Sequence, residues 1–492
     1  MGFEQWAKRT VSFWEDLLGR GAHVEVPEAK PMNVYRASLV YQFIGRDKGV
    51  IKPGEGFYDN LYLRDAAYQT ISLAHAGYRD AARQSLEHFL RFQGDDGFFC
   101  TQKGQLDGNG YALWAMVEYY RLSGDLEWLR RVYPQVKKSV EWIERARREE
   151  KNSTSPFYGI MPNAPADGEN LWDGKHHIVG YDWWNLRGVQ SAAAAACALG
   201  EQEDAATFAK EFKEYRECIL RALDKTGLIY IPPSYEKRGT HWGNLEVVFP
   251  SLLVDAQDSR VGATLDHVRE EFGGGFCEGI IRWSPRRRPG HIHPYMSQFV
   301  TNSHIIRGDY EKAVDGFYSF LLHTTSTQGF AEGINYGRRE AWSDTVPHLW
   351  AAALYITTLR NMLVREEGQT LHLLSCVPVH WLDDGKRIVV QDAPTHFGNA
   401  GYIAAAERDI VRLQLDPPRR RPAQKIVIHL PVGIEIEKAE VEGKAVPAYN
   451  RRALILEGQL ARGPCVVVFR IKRAAHGTPM TFESKVAAYE AK

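Results

Sequence analysis

Apolar residues recur at helical spacing through most of the chain up to about residue 365, and the helical segments come in pairs. A tight turn such as Gly77-Tyr78 or Gly308-Asp309 follows the first helix of a pair, and a long loop follows the second. Short turns make consecutive helices antiparallel, as in a helical hairpin. The predicted helical segments are 34–44, 66–76, 80–92, 110–122, 126–147, 183–199, 204–223, 245–254, 260–272, 295–306, 310–323 and 346–364.

These hairpins differ in the character of their two helices. Residues 191–199 are nearly all alanine, which suits close packing at a crowded centre, whereas residues 126–148 carry many charges, as expected of an outer helix. The hairpin starts are irregularly spaced, unlike the fixed period of an open α-solenoid. The sequence therefore predicts a mainly α fold, an (α/α)6 barrel or six-hairpin toroid, over residues 31–368.

The pattern changes at about residue 369. Short alternating segments rich in β-branched residues, such as 387–392 and 465–471, are separated by Pro and Gly clusters, which predicts a small antiparallel β domain, sandwich-like, over residues 369–474. Residues 1–30 carry Trp6, Phe13 and Trp14 at helical spacing, so we expect a leading helix packed on the barrel. The polar tail, residues 475–492, is expected to fray.

Composition narrows the function classes. Lys plus Arg and Asp plus Glu both number 61, so the formal net charge of zero gives no support for a nucleic-acid or anionic-membrane partner. No signal peptide and no stretch of about 18 apolar residues is visible, so we expect a cytoplasmic protein. The six cysteines are scattered, as reduced core thiols are, and no phosphate loop or convincing metal site is present. We therefore expect no cofactor and no metal.

Aromatic residues make up 12% of the chain, with 13 Trp. Such rings either fill a large core or form platforms for the apolar faces of sugars. A polar-aromatic cluster precedes each presumed inner helix, and parallel inner helices would bring these clusters together at one end of the barrel. Single aspartates could instead be helix N-caps. The predicted substrate-binding residues are Tyr62, Arg64, Asp65, Gln105, Asp107, Trp172, His177, Tyr181, Asp182, Trp183, Trp242, Tyr336, Trp342 and His348.

An acidic, ring-lined cavity of this kind suits glycoside cleavage, which needs two carboxyl groups flanking the scissile bond. The candidate acids are Asp173 and Glu169, both in the long third loop, and the candidate base or nucleophile is Glu332. Apolar neighbours could raise the pKa of Glu332 and make it the acid instead. Glu246 and Glu278 are weaker candidates.

Three motifs resemble the substrate-binding motifs of glucoamylase-like glycoside hydrolases: residues 61–67 (LYLRDAA), residues 105–110 (QLDGNG) and Leu171-Trp172-Asp173. In that family the third motif carries the general acid, normally a Glu after the Trp. Asp173 stands there in this chain, which keeps Glu169 as an alternative. Glu332, ahead of residues 347–353, is similar to the family's catalytic base.

Residues 362–378 look like the junction into the C-terminal β domain of rhamnosidase-like members of the same six-hairpin superfamily. The resemblance covers roughly residues 57–365 and implies an (α/α)6 barrel. Many members carry a β-sandwich before the barrel, whereas little precedes it here. The resemblance therefore implies that part of a substrate wall is missing or comes from a partner.

The resulting hypothesis is a glycoside hydrolase that removes a terminal sugar from an oligosaccharide or glycoconjugate by an inverting, two-carboxylate mechanism. One alternative is a phosphorylase or uronate-acting enzyme on the same barrel, with His176, His177 and the arginines at 286–288 serving an anionic group. Another is a non-catalytic sugar-binding protein. The expected partner is a carbohydrate, with no nucleic acid and no membrane. Homo-oligomerisation and a partner-supplied N-terminal β domain both stay open.

Overall fold

The computed structural model describes residues 2–54, 56–152, 154–165, 175–284, 290–342, 345–446, 450–474 and 479–491. Its helices in chain order are α1 (Phe3–Leu18), α2 (Ala29–Ile44), α3 (Leu63–His75), α4 (Arg79–Phe89), α5 (Gly108–Ser123), α6 (Leu126–Arg148), α7 (Val179–Leu199), α8 (Gln202–Thr226), α9 (Ser259–Asp266), α10 (Pro294–Arg307), α11 (Tyr310–Leu322), α12 (Leu349–Leu363) and α13 (Phe482–Glu490).

The helical part has an inner and an outer layer. Helices α3, α5, α7, α10 and α12 are almost entirely buried, and α3 packs against both α5 and α12. Helices α4, α6, α8 and α11 each follow an inner helix in the chain and pack against it. Each of them keeps a polar outer face. The alternation of apolar and amphipathic segments in the sequence thus becomes an alternation of layers.

Glycine permits the close contact between α5 and α7. A Cβ on Gly110 would lie 2.2 Å from the Trp184 carbonyl oxygen, so any larger residue at this position would separate the two helices. Each of these helices ends at a glycine in the left-handed region, Gly124 after α5 and Gly200 after α7. The hairpin turns expected from the sequence are built in this way.

One predicted helix is absent. The apolar stretch 245–254 is not helical; only a 3-10 turn, Gly243–Leu245, forms here and packs on α7. Pro250 explains the difference, because proline has no backbone N–H to donate and also disfavours the helical conformation at Phe249 before it.

The β part forms two sheets. Its strands are β9 (Val364–Glu367), β10 (Thr370–Leu373), β11 (Arg387–Thr395), β12 (Gly398–Glu407), β13 (Ile410–Asp416), β14 (Lys425–His429), β15 (Ile434–Val441), β16 (Lys444–Ala445), β17 (Ala453–Glu457) and β18 (Cys465–Arg473). Strands β1 to β8 are short pieces before them: β1 (His23–Glu25), β2 (Arg46–Asp47), β3 (Val50–Ile51), β4 (Ala164–Pro165), β5 (Lys175–His176), β6 (His291–Ile292), β7 (Ile334–Asn335) and β8 (Glu340–Ala341).

The larger sheet has the order β1-β11-β12-β13-β18-β15-β16 and the smaller one β17-β14-β10-β9. Their pairs are antiparallel, as expected, except that β10 and β14 run parallel. The three strands between β10 and β14 in the chain lie in the larger sheet. The chain therefore returns to the smaller sheet with β14 running in the same direction as β10. Strand β1, from the N-terminal region, extends the large sheet by pairing with β11.

The two ends of the chain differ from expectation. Helix α1 forms, but none of its residues is buried; Phe3 is 87% and Trp6 54% exposed, and only Leu18 at its end packs against the core. The prediction of a frayed tail is wrong for residues 482–490, which form α13. A capping box of Thr481 and Ser484 starts this helix, and Lys485 pairs with Asp315 of α11 at 2.5 Å.

Glu28 connects several parts of the molecule. Its carboxylate accepts hydrogen bonds from the Trp381 indole (2.7 Å), the Tyr318 hydroxyl (2.5 Å) and the backbone N–H of Phe482 (3.1 Å). These donors belong to the β part, to α11 and to α13.

In the part of the chain that the structure describes, no helix is both long and apolar enough to cross a membrane.

Candidate functional site

The N-terminal ends of the inner helices meet around Arg64. Its Nε donates to Oδ2 of Asp107 at 2.8 Å, and both side chains are buried. The guanidinium lies over the Trp242 ring, 4.3 Å from its centroid, and 5.8 Å from that of Tyr181. Side chains from α3, from α7, from the start of α5 and from the residue before the 3-10 turn therefore form one group.

Glu332 lies in the loop between α11 and α12 and is only 5% exposed. Its Oε1 accepts a hydrogen bond from the Tyr58 hydroxyl at 2.7 Å, while its buried Oε2 has no hydrogen-bond partner among the described residues. Burial raises the pKa of Glu332, against the opposing effects of His348 and Tyr58. The loop is fixed by backbone hydrogen bonds from Glu332 to Thr345 and from His348 to Phe330.

Asp65 and His348 join the two groups. Oδ1 of Asp65 lies 3.6 Å from Nε2 of His348, beyond direct hydrogen-bond distance. Both imidazole nitrogens of His348 are buried without a hydrogen bond to the described residues. The Asp65 charge adds to the rise in the pKa of Glu332, so these carboxyl groups interact electrostatically. Asp65 follows Arg64 directly in the chain. The side chains of Arg64, Asp65, Glu332 and His348 therefore lie at one end of the helical part.

Aromatic residues surround Glu332 and His348. The Tyr58 ring makes an edge contact with Tyr62, the residue before α3, at 5.5 Å, and Tyr295 makes one with His348 at 5.2 Å. Trp342 is half-buried, with its centroid 6.2 Å from that of His293. Gln105 lies half-buried in the loop before α5.

His293 stacks on Trp283 at 4.6 Å and also packs beside the loop that carries Glu332. A Cβ on Gly333 would lie 2.8 Å from this imidazole, so the residue after Glu332 must be small for the loop to pass. The sequence analysis did not select Tyr58, Tyr295 or His293 as substrate contacts. All three belong to polar-aromatic clusters before inner helices, which is the signal that could have identified them.

Several residues that the sequence predicted to contact the substrate contact other protein side chains instead. His177 stacks on Phe157 at 3.8 Å, and its two nitrogens lie 2.7 Å from Glu236 and 3.3 Å from Glu150. These carboxylates raise the pKa of His177 against its burial. The His177 imidazole is therefore part of a structural network and not of the candidate site.

Asp182 also has a structural position. It accepts hydrogen bonds from the Met161 backbone N–H (2.8 Å) and the Tyr215 hydroxyl (2.7 Å), and burial raises its pKa to about 6.

Trp183 is fully buried within α7, so its ring offers no open face to a sugar. The Tyr336 hydroxyl donates to Glu278 at 2.9 Å.

The N-cap alternative does not account for the three aspartates. Asp107 precedes α5 but its side chain makes no capping hydrogen bond, and Asp65 and Asp182 lie inside the first turns of α3 and α7. The carboxylate of Asp107 is directed to Arg64 instead.

Glu169, Trp172 and Asp173 lie outside the described residues, as do the arginines at 286–288. The flanking strands β4 and β5 pair with each other, with Ala164 opposite His176. This pairing brings both ends of the segment that carries the candidate acids close to the start of α7.

Glu246 forms a second buried carboxyl site. It accepts hydrogen bonds from the Tyr68 hydroxyl and from Nε1 of Trp184 (3.0 Å), and the Tyr111 hydroxyl lies 3.5 Å away. Burial raises its pKa to about 7, with a further contribution from the charge of Asp107. Glu278, by contrast, has a lowered pKa because His323, Arg339 and Tyr336 hydrogen-bond to it against its burial.

No group of three His, Cys, Asp or Glu side chains suited to a metal ion occurs among the residues that the structure describes.

Solved structures of several glycosidases have a fold similar to that of this chain. The solved α-L-rhamnosidase of Dictyoglumus thermophilum superposes with a TM-score of 0.58 at 9% identity, covering 92% of this chain and 50% of its own. The α-L-rhamnosidase of Streptomyces avermitilis, solved with L-rhamnose, gives 0.56 at 14%, covering 91% and 42%. A wild-type glycosidase gives 0.51 at 15%, covering 68% of this chain and 97% of its own.

This chain has the fold of these glycosidases. The expected likeness to six-hairpin, rhamnosidase-like glycosidases is thereby confirmed at the level of the fold. No protein-family model matches the chain. A curated relative, an uncharacterized glycosyl hydrolase of Methanocaldococcus jannaschii, is 21% identical in an alignment 288 residues long that covers 54% of this chain. The match spans 44% of that relative, less than half its length.

Proposed function

We propose that this protein is a glycoside hydrolase that removes a terminal sugar from an oligosaccharide or glycoconjugate. The observation that carries the proposal is the position of Glu332, a desolvated carboxyl with one oxygen fixed by Tyr58 and the other without a described partner. It lies at the same end of the helical part as Asp65 and the Arg64–Asp107 pair, in a fold that solved glycosidases share.

We further propose that the inner helices close into the (α/α)6 barrel. Contacts run from α12 to α3, α5 and α7, then to the 3-10 turn 243–245, and α10 packs on α12. In this arrangement the turn and the irregular stretch after it take the fourth inner position. The substrate would enter at the end where the inner helices begin.

In the proposed mechanism Glu332 is the general base. Its ionised form would take a proton from water held near Oε2, while Tyr58 fixes the orientation of the carboxylate. Asp173 or Glu169 would donate the proton to the leaving-group oxygen. A base and an acid on opposite faces of the sugar give inversion when they are roughly 6.5–9.5 Å apart, which leaves room for water.

The remaining groups would bind the sugar. Asp65 and the Arg64–Asp107 pair offer directed hydrogen bonds to hydroxyls, and His348 has two buried nitrogens without a described hydrogen bond. Trp342, half-buried beside His293, offers a ring for stacking.

The test is a panel of aryl α- and β-glycosides, including L-rhamnosides, assayed with the wild type and with Glu332→Gln, Asp173→Asn and Glu169→Gln. We expect Glu332→Gln to lower kcat by about 10²–10⁴-fold while the affinity for substrate is retained. The matched control is Glu435→Gln, on the exposed part of β15, which should leave kcat unchanged. NMR of the first-formed anomer checks inversion.

Three outcomes would contradict the proposal. Full turnover by Glu332→Gln would remove the base from the mechanism. Turnover that requires inorganic phosphate would instead identify a phosphorylase on the same fold, and binding of sugars with no turnover of any substrate would identify a sugar-binding protein.

A further inference from the structure

A second cleft lies at the other end of the helical part, next to the small sheet. Its volume is about 490 Å³, and it is bordered by the turn after α10 and by β14 and β17. Helix α10 separates it from the candidate site by 14 residues, or roughly 21 Å of helix. Its polar lining consists of Arg365, Ser375, His429, Asn450, Arg451 and Arg452.

Positive charge predominates around this cleft. Burial and then the charges of Arg365 and Arg452 lower the pKa of His429 to about 4. His372, whose Nδ1 lies 2.9 Å from Nε2 of His429, is similarly affected by burial, Arg365 and His429. Arg365 and Arg452 therefore both act on His429, and all three residues line this cleft.

The nearby carboxylates compensate only part of this charge. Glu367 pairs with Arg365 at 2.7 Å and lies 3.7 Å from His372, and Glu435 lies 3.7 Å from Arg451. Arg452 has no carboxylate within 4.0 Å among the described residues. Its backbone is held by the Asn450 side chain, which accepts its N–H at 2.9 Å.

Two residues that line the cleft carry a buried donor with no acceptor in the described part of the chain. The donors are Nε of Arg365, a residue that is 7% exposed, and Oγ of Ser375. A buried donor without a partner is unfavourable, and a ligand oxygen that approached within hydrogen-bond distance would relieve this cost. These two residues and Arg452 belong to different segments of the β part, namely β9, the segment after β10 and the residue before β17.

We infer that this cleft binds a small phosphate-bearing ligand. Guanidinium groups bind phosphate oxygens by charge-assisted hydrogen bonds, and a tetrahedral oxyanion offers enough oxygens for Arg365, Ser375 and Arg452 at once, where a carboxylate offers two. The cleft volume falls in the range of small-molecule sites, about 300–1,000 Å³, so it has room for a sugar attached to the phosphate. This assignment does not depend on the reaction at Glu332.

The experiment is calorimetric titration of the full chain with inorganic phosphate and with glucose 6-phosphate, at constant ionic strength set with chloride. We expect saturable binding of at least one of them, weakened at least tenfold by Arg452→Gln and by Ser375→Ala. Arg419→Gln, another exposed arginine of the β part that pairs with Asp416, is the matched control and should bind like the wild type. Tighter binding of glucose 6-phosphate would identify a sugar phosphate, and equal binding would identify free phosphate.

NMR of the His429 ring provides a second measurement. A bound dianion should raise the pKa of His429 in the wild type and not in Arg452→Gln. The inference is overturned if neither phosphate compound binds saturably, if Arg452→Gln binds as tightly as the wild type, or if glucuronate binds more tightly than phosphate. Since hydrolase activity is measured separately, a failure here leaves the assignment of Glu332 untouched.

Discussion

The Tyr58 hydroxyl donates a 2.7 Å hydrogen bond to Oε1 of Glu332, joining the segment before α3 to the loop before α12. Residues separated by 274 positions thus share one proton-binding site. Burial favours the neutral form of Glu332, and this hydrogen bond favours the charged form. Tyr58 therefore helps to set the pH at which Glu332 becomes a base.

Tyr58→Phe should shift the acidic limb of the pH profile of kcat/KM to higher pH. Removing the donor raises the pKa of Glu332 further, so a higher pH is needed to ionise the base, and we expect activity near neutral pH to fall by about tenfold. Tyr336→Phe removes a similar hydrogen bond, to Glu278, and is the control. An unchanged acidic limb in Tyr58→Phe would separate Tyr58 from the ionisation of Glu332.

Glu246→Gln should remove a pH dependence of stability. The pKa of Glu246 is raised from 4.5 to about 7 in the folded protein, so the unfolded chain loses this proton first as the pH rises. The stabilisation is complete below about pH 4.5 and is lost as the pH approaches 7, a change of about 3 kcal/mol at 1.36 kcal/mol per pKa unit. The Gln amide can keep its contacts with Tyr68 and Trp184.

Urea unfolding of both proteins at pH 5 and pH 8 measures this effect. Asp182 also has a raised pKa and changes stability in the same direction, but it is present in both proteins and cancels in the difference. The difference in free energy of unfolding between variant and wild type should therefore move in favour of Glu246→Gln at pH 8. A difference that is the same at both pH values would contradict the assignment.

Gly333→Ala should displace the loop that carries Glu332. The new methyl group would lie 2.8 Å from the His293 imidazole, which is closer than side-chain carbons approach, so either the loop or the ring stacked on Trp283 must move. We expect a destabilisation of about 1–3 kcal/mol and a loss of kcat larger than the change in KM.

Gly337→Ala provides the comparison for that substitution, since its Cβ would come no closer than 3.8 Å to Asn335 in the same loop. Thermal unfolding and steady-state kinetics of the two variants should separate clearly. If both behave like the wild type, the contact between Gly333 and His293 does not position Glu332.

Asp107→Ala should be more damaging than the loss of one hydrogen bond. Arg64 would keep its charge in a buried position beside the rings of Trp242 and Tyr181 after losing the Asp107 carboxylate, and breaking a buried pair in this way typically costs about 3–5 kcal/mol. Chemical denaturation measures this loss. Arg64→Met combined with Asp107→Leu should recover much of the stability without recovering activity, and additive losses in the double variant would argue against a coupled pair.

The sequence was informative where a local pattern determines a position. The polar-aromatic residues before each inner helix predicted that Arg64, Asp107, Trp242 and Glu332 would lie at one end, because helix starts can be located from periodicity and turns. The same pattern could not distinguish a residue that faces the cavity from one that faces a neighbouring helix. Asp182 illustrates this limit, since its partner Tyr215 lies on α8.

Other features depend on contacts that no local pattern contains. An apolar run such as 245–254 has the composition of a helix, and Pro250 was the one local sign against it. The tail helix α13 is stabilised by Asp315 and Glu28, residues far away in the sequence. The parallel pairing of β10 with β14 follows from the path of three intervening strands through the other sheet.

The pairing of β1 with β11 has a consequence for dividing this protein into pieces. Residues 23–25 complete the edge of the large sheet, and Glu28 a few residues later holds Trp381 of the β part. Cutting the chain at residues 31 and 368 would separate the β part from both of these partners, leaving an open edge at β11 and an indole of Trp381 without the carboxylate that binds it. The helical and β parts are therefore better expressed together, with the N-terminal segment retained, than as separate modules.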